Sequence, residues 1–233
     1  MRLHFAAISL ALAVIALGLP LAAGADERRI TVTGEGRALA APDIALVTLG
    51  VSEEARTAGD ALAAMSRAGE AILAQVAEAG IDPRHVQTSG LTLRPVYDHS
   101  SNGPPKVTGF AAETRYDIRV EDLPMLGRLL DALVSVGANR LDGVRFDIAE
   151  PRPMRDAARR DAVADARAKA ELLADAAGVT LGAVMTIDEV MSGGRPVPML
   201  EMRMMDAAGS GVPIAEGEVG IEARVTIVFA IDG

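Results

Sequence analysis

Residues 30–80 read ITVTGEGRALAAPDIALVTLGVSEEARTAGDALAAMSRAGEAILAQVAEAG, and the period of their apolar residues changes along the stretch. Ile30 to Leu39 and Asp43 to Ala55 have the alternation and β-branched content of strands. Ala40-Ala41-Pro42 separates them, because proline removes a ladder donor. Thr57 then offers an N-cap oxygen with Asp60 following in the manner of a capping box. Ala58 to Ala79 places Leu62, Met65, Ala68, Ile72 and Val76 on one helical stripe, and Gly80 ends the helix at C′. Downstream, Asp82-Pro83 is a turn, Val86 to Tyr97 a strand, Asp98 to Lys106 a polar loop and Val107 to Glu121 the returning strand. The unit is strand, helix, strand, strand.

The same order recurs after residue 140, with Leu141 to Ala149 as strand, Arg152 to Ala177 as helix, and Thr180 to Met191 and Glu218 to Ile231 as strands. Ala79-Gly80-Ile81 matches Ala177-Gly178-Val179 at the helix ends, and Glu113-Thr-Arg115 matches Glu222-Ala-Arg224 in the returning strands. A further helix, residues 123–137 with Pro124 in its first turn and Gly137 closing it, joins half-units of about 30–121 and 140–232. Two such halves predict one pseudo-symmetric α+β domain over residues 26–233, its helices packed on antiparallel sheet, because each half alone exposes a sheet face it cannot cover. Residues 192–217 form a Pro/Met-rich loop within it.

Both alternations of Ile44 to Val51 and of Val225 to Ile231 are largely apolar. Helices cover one face of such a sheet, so the other is predicted to be covered by a second copy or closed within the chain by the long loop. The first alternative implies a homo-oligomer, with Ile227 and Val228 as interface candidates, one for each direction the closing strand can face. In the helix Arg152 to Ala177, Asp156/Arg160, Asp165/Lys169 and Arg167/Glu171 have i,i+4 spacing and read as a solvated face. Ala157, Ala158, Ala162, Ala166 and Ala170 permit close approach to the sheet.

Arg2 followed by apolar Phe5 to Leu19, Pro20 and the small residues Ala23-Gly24-Ala25 reads as a signal peptide over residues 1–25, cleaved after Ala25; an uncleaved anchor is the alternative. No later apolar run is long enough for a transmembrane helix. The chain carries 23 Lys+Arg against 32 Asp+Glu, a formal net charge of -9, which disfavours nucleic acid as a partner. There is no Trp and there are only 2 Tyr and 4 Phe, so no base-stacking platform is available. The absence of Cys removes thiol catalysis, thiolate metal sites and disulfides together.

Catalytic patterns are sparse. His85 and His99, the histidines after the leader, lie in no H-x-x-x-H or H-E-x-x-H spacing, and Ser89 has no G-x-S-x-G elbow. Gly34-Glu35-Gly36 has no following helix N-terminus to complete a phosphate cradle. No catalytic, cofactor-binding or metal residue is assigned on these patterns. The distinctive tract is Met199, Met202, Met204 and Met205, with Met191 upstream. Three readings stand: irregular packing, sacrificial oxidation, or a thioether site for Cu(I).

Several motifs in collinear order carry a resemblance. They are Ile30-Thr-Val-Thr-Gly-Glu-Gly-Arg37, Pro42-Asp43, Val86-Gln-Thr-Ser89 leading to Pro95-Val-Tyr97, Gly137-Ala-Asn139, Ala162-Val-Ala-Asp-Ala-Arg-Ala-Lys-Ala170 and the closing Val225 to Phe229. Together the chain resembles the SIMPL-domain family of exported bacterial proteins over Arg29 to Ile231. The resemblance implies an α+β domain, location in the periplasm or at the outer-membrane periphery, large ring-like homo-oligomers in some members, and a part in envelope or oxidative-stress tolerance. It implies no enzymatic activity and no cofactor, and no site residue is carried over.

Overall fold

The computed structural model describes residues 28–98, 104–190, 197–199 and 214–232. Its elements in chain order are β1 (Arg29–Ala40), β2 (Ile44–Ala55), α1 (Ala58–Glu78), β3 (Val86–Asp98), β4 (Lys106–Val120), α2 (Leu126–Ser135), β5 (Arg140–Asp147), α3 (Arg152–Ala177), β6 (Thr180–Val190), β7 (Val197–Met199) and β8 (Glu218–Asp232). The α+β class and antiparallel pairing expected from the sequence are found, but the strands divide between two sheets. One has the order β3-β4-β2-β5; the other has the order β1-β8-β6, with β7 also paired to β8.

This order exchanges strands between the two halves of the chain. β1 does not pair with its neighbour β2; it runs against β8, from Arg29 opposite Ala230 to Ala40 opposite Val219. β5, from the second half, instead flanks β2, with Ile44 opposite Asp147. Each sheet therefore takes an edge strand from the other half. The break at Pro42 lets the chain leave one sheet and enter the other.

α1 and α2 cover one face of the first sheet. Thr57 Oγ1 accepts from the backbone N–H of Asp60 at 3.1 Å and starts α1. Gly80, with φ of 79°, follows its end. The buried stripe of α1 is Ala61, Met65, Gly69, Ile72 and Val76. Leu62, predicted on that stripe, is exposed, because the face that meets the sheet is rotated away from it. The linking helix begins as a 3₁₀ turn, Leu123–Met125, before α2. Ala45, Val47, Leu49 and Val51 of β2 and Ala112, Tyr116, Ile118 and Val120 of β4 pack against these helices in one core.

The second sheet has a smaller core beneath α3, formed by Val32, Val225, Ile227 and Phe229 with Ala162, Ala166 and Ala170. Burial of a large apolar side chain contributes roughly 1.5–3 kcal/mol, so these few residues carry most of the attachment of α3. The buried line of α3 is Ala158, Ala162, Ala166, Ala170 and Ala174. Gly34 and Gly36 lie directly against it: a Cβ on Gly34 would overlap the Ala162 carbonyl oxygen, and one on Gly36 that of Ala158. The Gly34/Gly36 pair thus serves helix-to-strand contact.

The ion pairs of α3 differ in part from the expected set. Asp165–Lys169 forms at 2.6 Å and Arg167–Glu171 at 2.9 Å. Asp156 pairs with Arg159 at 3.1 Å, and Arg159 also reaches Glu189 of β6 at 2.8 Å. The Asp165 pair is more than a solvated face: its Oδ2 accepts from the Glu35 backbone N–H at 2.8 Å, and Lys169 Nζ donates to the Thr33 carbonyl at 3.1 Å. Those backbone groups lie on the outer edge of β1, so α3 occupies the middle of that edge and hinders further pairing there.

Candidate functional site

The face of the first sheet away from the helices was expected to be apolar, and it is not. β2 does place Ile44 and Leu46 there, but β4 and β5 fill the neighbouring positions with charge. In β4 a strict alternation turns Ala112, Tyr116 and Ile118 to the helices and leaves Glu113, Arg115, Asp117 and Arg119 on the open side. Cross-strand registration brings these residues into rows. Leu46 stands between Arg119 and Arg145, and Thr48 between Asp117 and Gly143. Arg140 lies beside Gly50. The charges compensate one another across strands, so a face without a helix cover is stable in water.

Glu113 is the centre of the upper rows. It is only 7% exposed, and it accepts from Arg94 Nη2 at 2.8 Å and Arg140 Nη1 at 3.1 Å, with Ser52 Oγ at 3.4 Å. The hydrogen bond from Arg94 lowers its pKa against the opposing effect of burial, with Arg140 adding to the lowering. Asn139 supports this end of the face. Its side-chain amide bonds both backbone groups of Ser52, accepting at 2.8 Å and donating at 2.9 Å, as a strand residue would. Gly137 before it has φ of 118°, a conformation open to glycine and strained for other residues, which accounts for the Gly137-Ala-Asn139 motif in backbone terms.

Glu113→Gln should lower stability by about 2 kcal/mol at neutral pH, since it removes charge-assisted hydrogen bonds to two arginines. A lowered carboxylate pKa contributes stability that is complete above the unfolded value and lost as pH falls through the folded value. The gap between wild type and Glu113→Gln in urea denaturation should therefore narrow as pH falls from neutrality to below the ordinary glutamate value. A pH-independent gap would refute the assignment.

Below this network the face opens into a groove of about 700 Å³, lined by Leu46, Thr48, Arg84, His85, Gln87, Asp117, Arg119, Asp142 and Arg145 among others. Arg84 is tied to Asp82 at 2.7 Å, which holds the Asp82 carboxyl down to about 2. Thr48 donates to Asp117 at 2.7 Å, and Asp142 meets Arg115 at 3.2 Å and Arg140 at 3.6 Å. Arg119 donates to Glu121 at 3.0 Å, yet its Nε is sealed from solvent and has no partner among the described residues.

Of the residues singled out in the sequence, His85 enters this groove, with Glu121 at 3.8 Å from its Nε2. Ser89 is exposed at a register shift in β3, remote from any nucleophile elbow. His99, Met191, Met202, Met204 and Met205 lie outside the described residues, and Met199 is described only as the backbone of β7. Ile227 faces α3 in the core, whereas Val228 is half-buried on the opposite face beside Thr31 and Thr186. That second open face is polar as well, with Thr33 and Thr226 hydroxyls 3.3 Å apart and Glu35 bonded to Arg224 at 2.8 Å. Exposed apolar side chains occur on the helices, Leu172 of α3 and Val134 of α2 among them, and on the outer strands: Leu91 and Leu93 on β3, Leu141 on β5, and Val184, Met185 and Ile187 on β6.

Comparison with known proteins gives one family match, to SIMPL, "Protein of unknown function (DUF541)", over residues 30–229. The chain is 38% identical over 211 residues to the 26 kDa periplasmic immunogenic protein of Brucella melitensis biotype 1, covering 87% of this chain and 84% of that one. It is 28% identical over 206 residues to the "Uncharacterized protein YggE" of Edwardsiella ictaluri, covering 86% and 85%. For the protein of that name in Escherichia coli K12 the identity is 26% over 212 residues, covering 89% and 85%.

Proposed function

Because the chain belongs to the SIMPL family, matched over residues 30–229, we propose that it is a non-enzymatic exported protein that self-assembles into a homo-oligomer and contributes to envelope or oxidative-stress tolerance. The observation that carries self-assembly is the outer strand β6, where Ile187 is 55% exposed with Val184 and Met185 also exposed, Ile187 and Val184 standing in register with Ile227 and Phe229. β6 pairs only with β8 among the described residues, and a strand with apolar side chains and an unpaired edge is a template for another chain. The β1 edge of the same sheet is occupied at its middle by Asp165 and Lys169, which directs association to β6. The periplasm as location is supported by the name of the Brucella relative and by the leader read over residues 1–25. Peripheral contact with the outer membrane is part of the same reading. No helix among the described residues is long and apolar enough to cross a membrane.

A passive role in assembly also fits the ionisation of the open face. Glu113 is held as a carboxylate by arginines, so it is poorly suited to carry a proton as a general acid at neutral pH. Light scattering on protein beginning at Asp26, at tens of micromolar, should give a closed homo-oligomer larger than a dimer. A monomer under those conditions would overturn the assembly reading.

A further inference from the structure

Two guanidiniums in the groove on the open face of the first sheet keep donors that the neighbouring carboxylates leave unmet. Its cations and carboxylates are not equally engaged. Asp117 is bonded by Thr48 at 2.7 Å, and Asp142 is held by Arg115 at 3.2 Å. By contrast, Arg119 spends one nitrogen on Glu121 at 3.0 Å, and its Nε has no partner among the described residues. Arg145 meets Asp147 at 3.5 Å, longer than a charge-assisted hydrogen bond, so most of its donors are unspent. A sealed guanidinium N–H without an acceptor is rare in a folded protein and calls for a partner.

The positions of the two arginines limit what that partner is. Both pair in register with Leu46, one from β4 and one from β5, so their Cα atoms are about 10 Å apart, two strand spacings. The floor between them is the half-buried Leu46 side chain, an apolar surface. The next row offers Gly143, where an added Cβ would meet nothing within 4 Å, so the groove continues past the arginines. His85 precedes Val86, whose partner is Ile118, and this places it beside Arg119 at one end. The Arg119 side chain is 34% exposed, which lets a rotamer change turn its free donor to the groove. A cation at each end of an apolar floor matches a ligand with an acid at each end of an alkyl chain.

We propose that this groove binds a short aliphatic dicarboxylate, with one carboxylate taking the place of Glu121 on Arg119 and His85, the other on Arg145, and the methylenes over Leu46. Bidentate pairing of guanidinium with carboxylate supplies the orientation, and displacement of water from Leu46 supplies the preference for an alkyl spacer. The site is independent of the self-assembly reading, because it lies on the other sheet from β6.

Isothermal titration of the exported chain, in whatever assembly state it has, with glutarate, adipate, butyrate and inorganic phosphate tests the assignment. Glutarate or adipate should bind with Kd at or below about 1 mM, and butyrate at least about 10-fold more weakly. Arg145→Leu and Arg119→Leu should each reduce dicarboxylate binding by about 10-fold or more, and Arg145→Lys by less, since a point charge keeps attraction but loses the fork. Arg167→Gln on α3 should bind as wild type. Circular dichroism checks that each variant is folded, and Arg145→Leu alone suffices if Arg119→Leu is not. Absence of dicarboxylate binding up to about 10 mM, equal affinity for butyrate, phosphate binding more tightly than either dicarboxylate, or binding unaffected by Arg145→Leu would each overturn the proposal.

Discussion

Gly34→Val should detach α3 from the second sheet and cost about 3 kcal/mol or more. Beyond the overlap with the Ala162 carbonyl oxygen, a Cβ at residue 34 would be 2.6 Å from the Ala166 backbone nitrogen and 2.7 Å from its Cβ. These are helix backbone and first side-chain atoms, so no rotamer change relieves them. The helix would have to move off the strand, and the contacts of Ala158, Ala162, Ala166 and Ala170 would go with it. The bonds from Asp165 and Lys169 to the edge of β1 would be lost in the same movement. Thermal unfolding should show a drop on the order of 10 °C. Gly59→Ala is the control: a Cβ there meets only Thr57 Oγ1 at 4.0 Å, at the start of α1, and stability should hold or rise. Similar losses at the two glycines would refute the close-approach account.

Ile227→Asp and Val228→Asp, neighbours on one strand, should have opposite outcomes. Ile227 is 1% exposed among Val225, Phe229 and the alanines of α3, with no cation available to a carboxylate in that core cluster. A buried unpaired charge there should cost at least about 4 kcal/mol and abolish the folded signal in circular dichroism. Val228 lies on the other face, opposite Thr31 and Thr186, where an aspartate keeps its water. The Val228→Asp chain should remain folded within about 1 kcal/mol of wild type, and light scattering should report a smaller species if the open face of this sheet, rather than the exposed Ile187 and Val184 of β6, forms the contact. A folded Val228→Asp chain of wild-type molar mass would exclude Val228 from the interface.

Much of the local structure was legible from period and punctuation. α3 is found over the predicted Arg152–Ala177, and Thr57 caps α1 as its spacing indicated. The charged open face was also written in the chain, in the alternation of Glu113, Arg115, Asp117 and Arg119 and in Arg140, Asp142, Arg145 and Asp147. Reading β2 by itself hid it. A central strand carries apolar residues on both alternations for its own burial, while its neighbours decide whether the face is wet. The groove was not legible, since Arg119, Arg145 and His85 come from three separated segments and meet only through registration with Leu46.

Sequence alone determined the element types and order apart from β7, which lies within residues read as a loop, together with the α+β class and the small-residue helix, because these follow from local periodicity, capping and turn chemistry acting over a few residues. Tertiary structure decided which strands pair. β1 leaves β2 for β8, and β5 takes the place beside β2, a choice that no local propensity distinguishes. It depends on burial across the whole sheet: glycines at 34 and 36 in β1 admit the alanine helix, whereas the large side chains of β2 require α1 and α2. From that partition follow both the bonded β1 edge and the row of arginines around Leu46, each made by residues distant from their neighbours in the chain but one strand spacing or one helix contact apart in the fold.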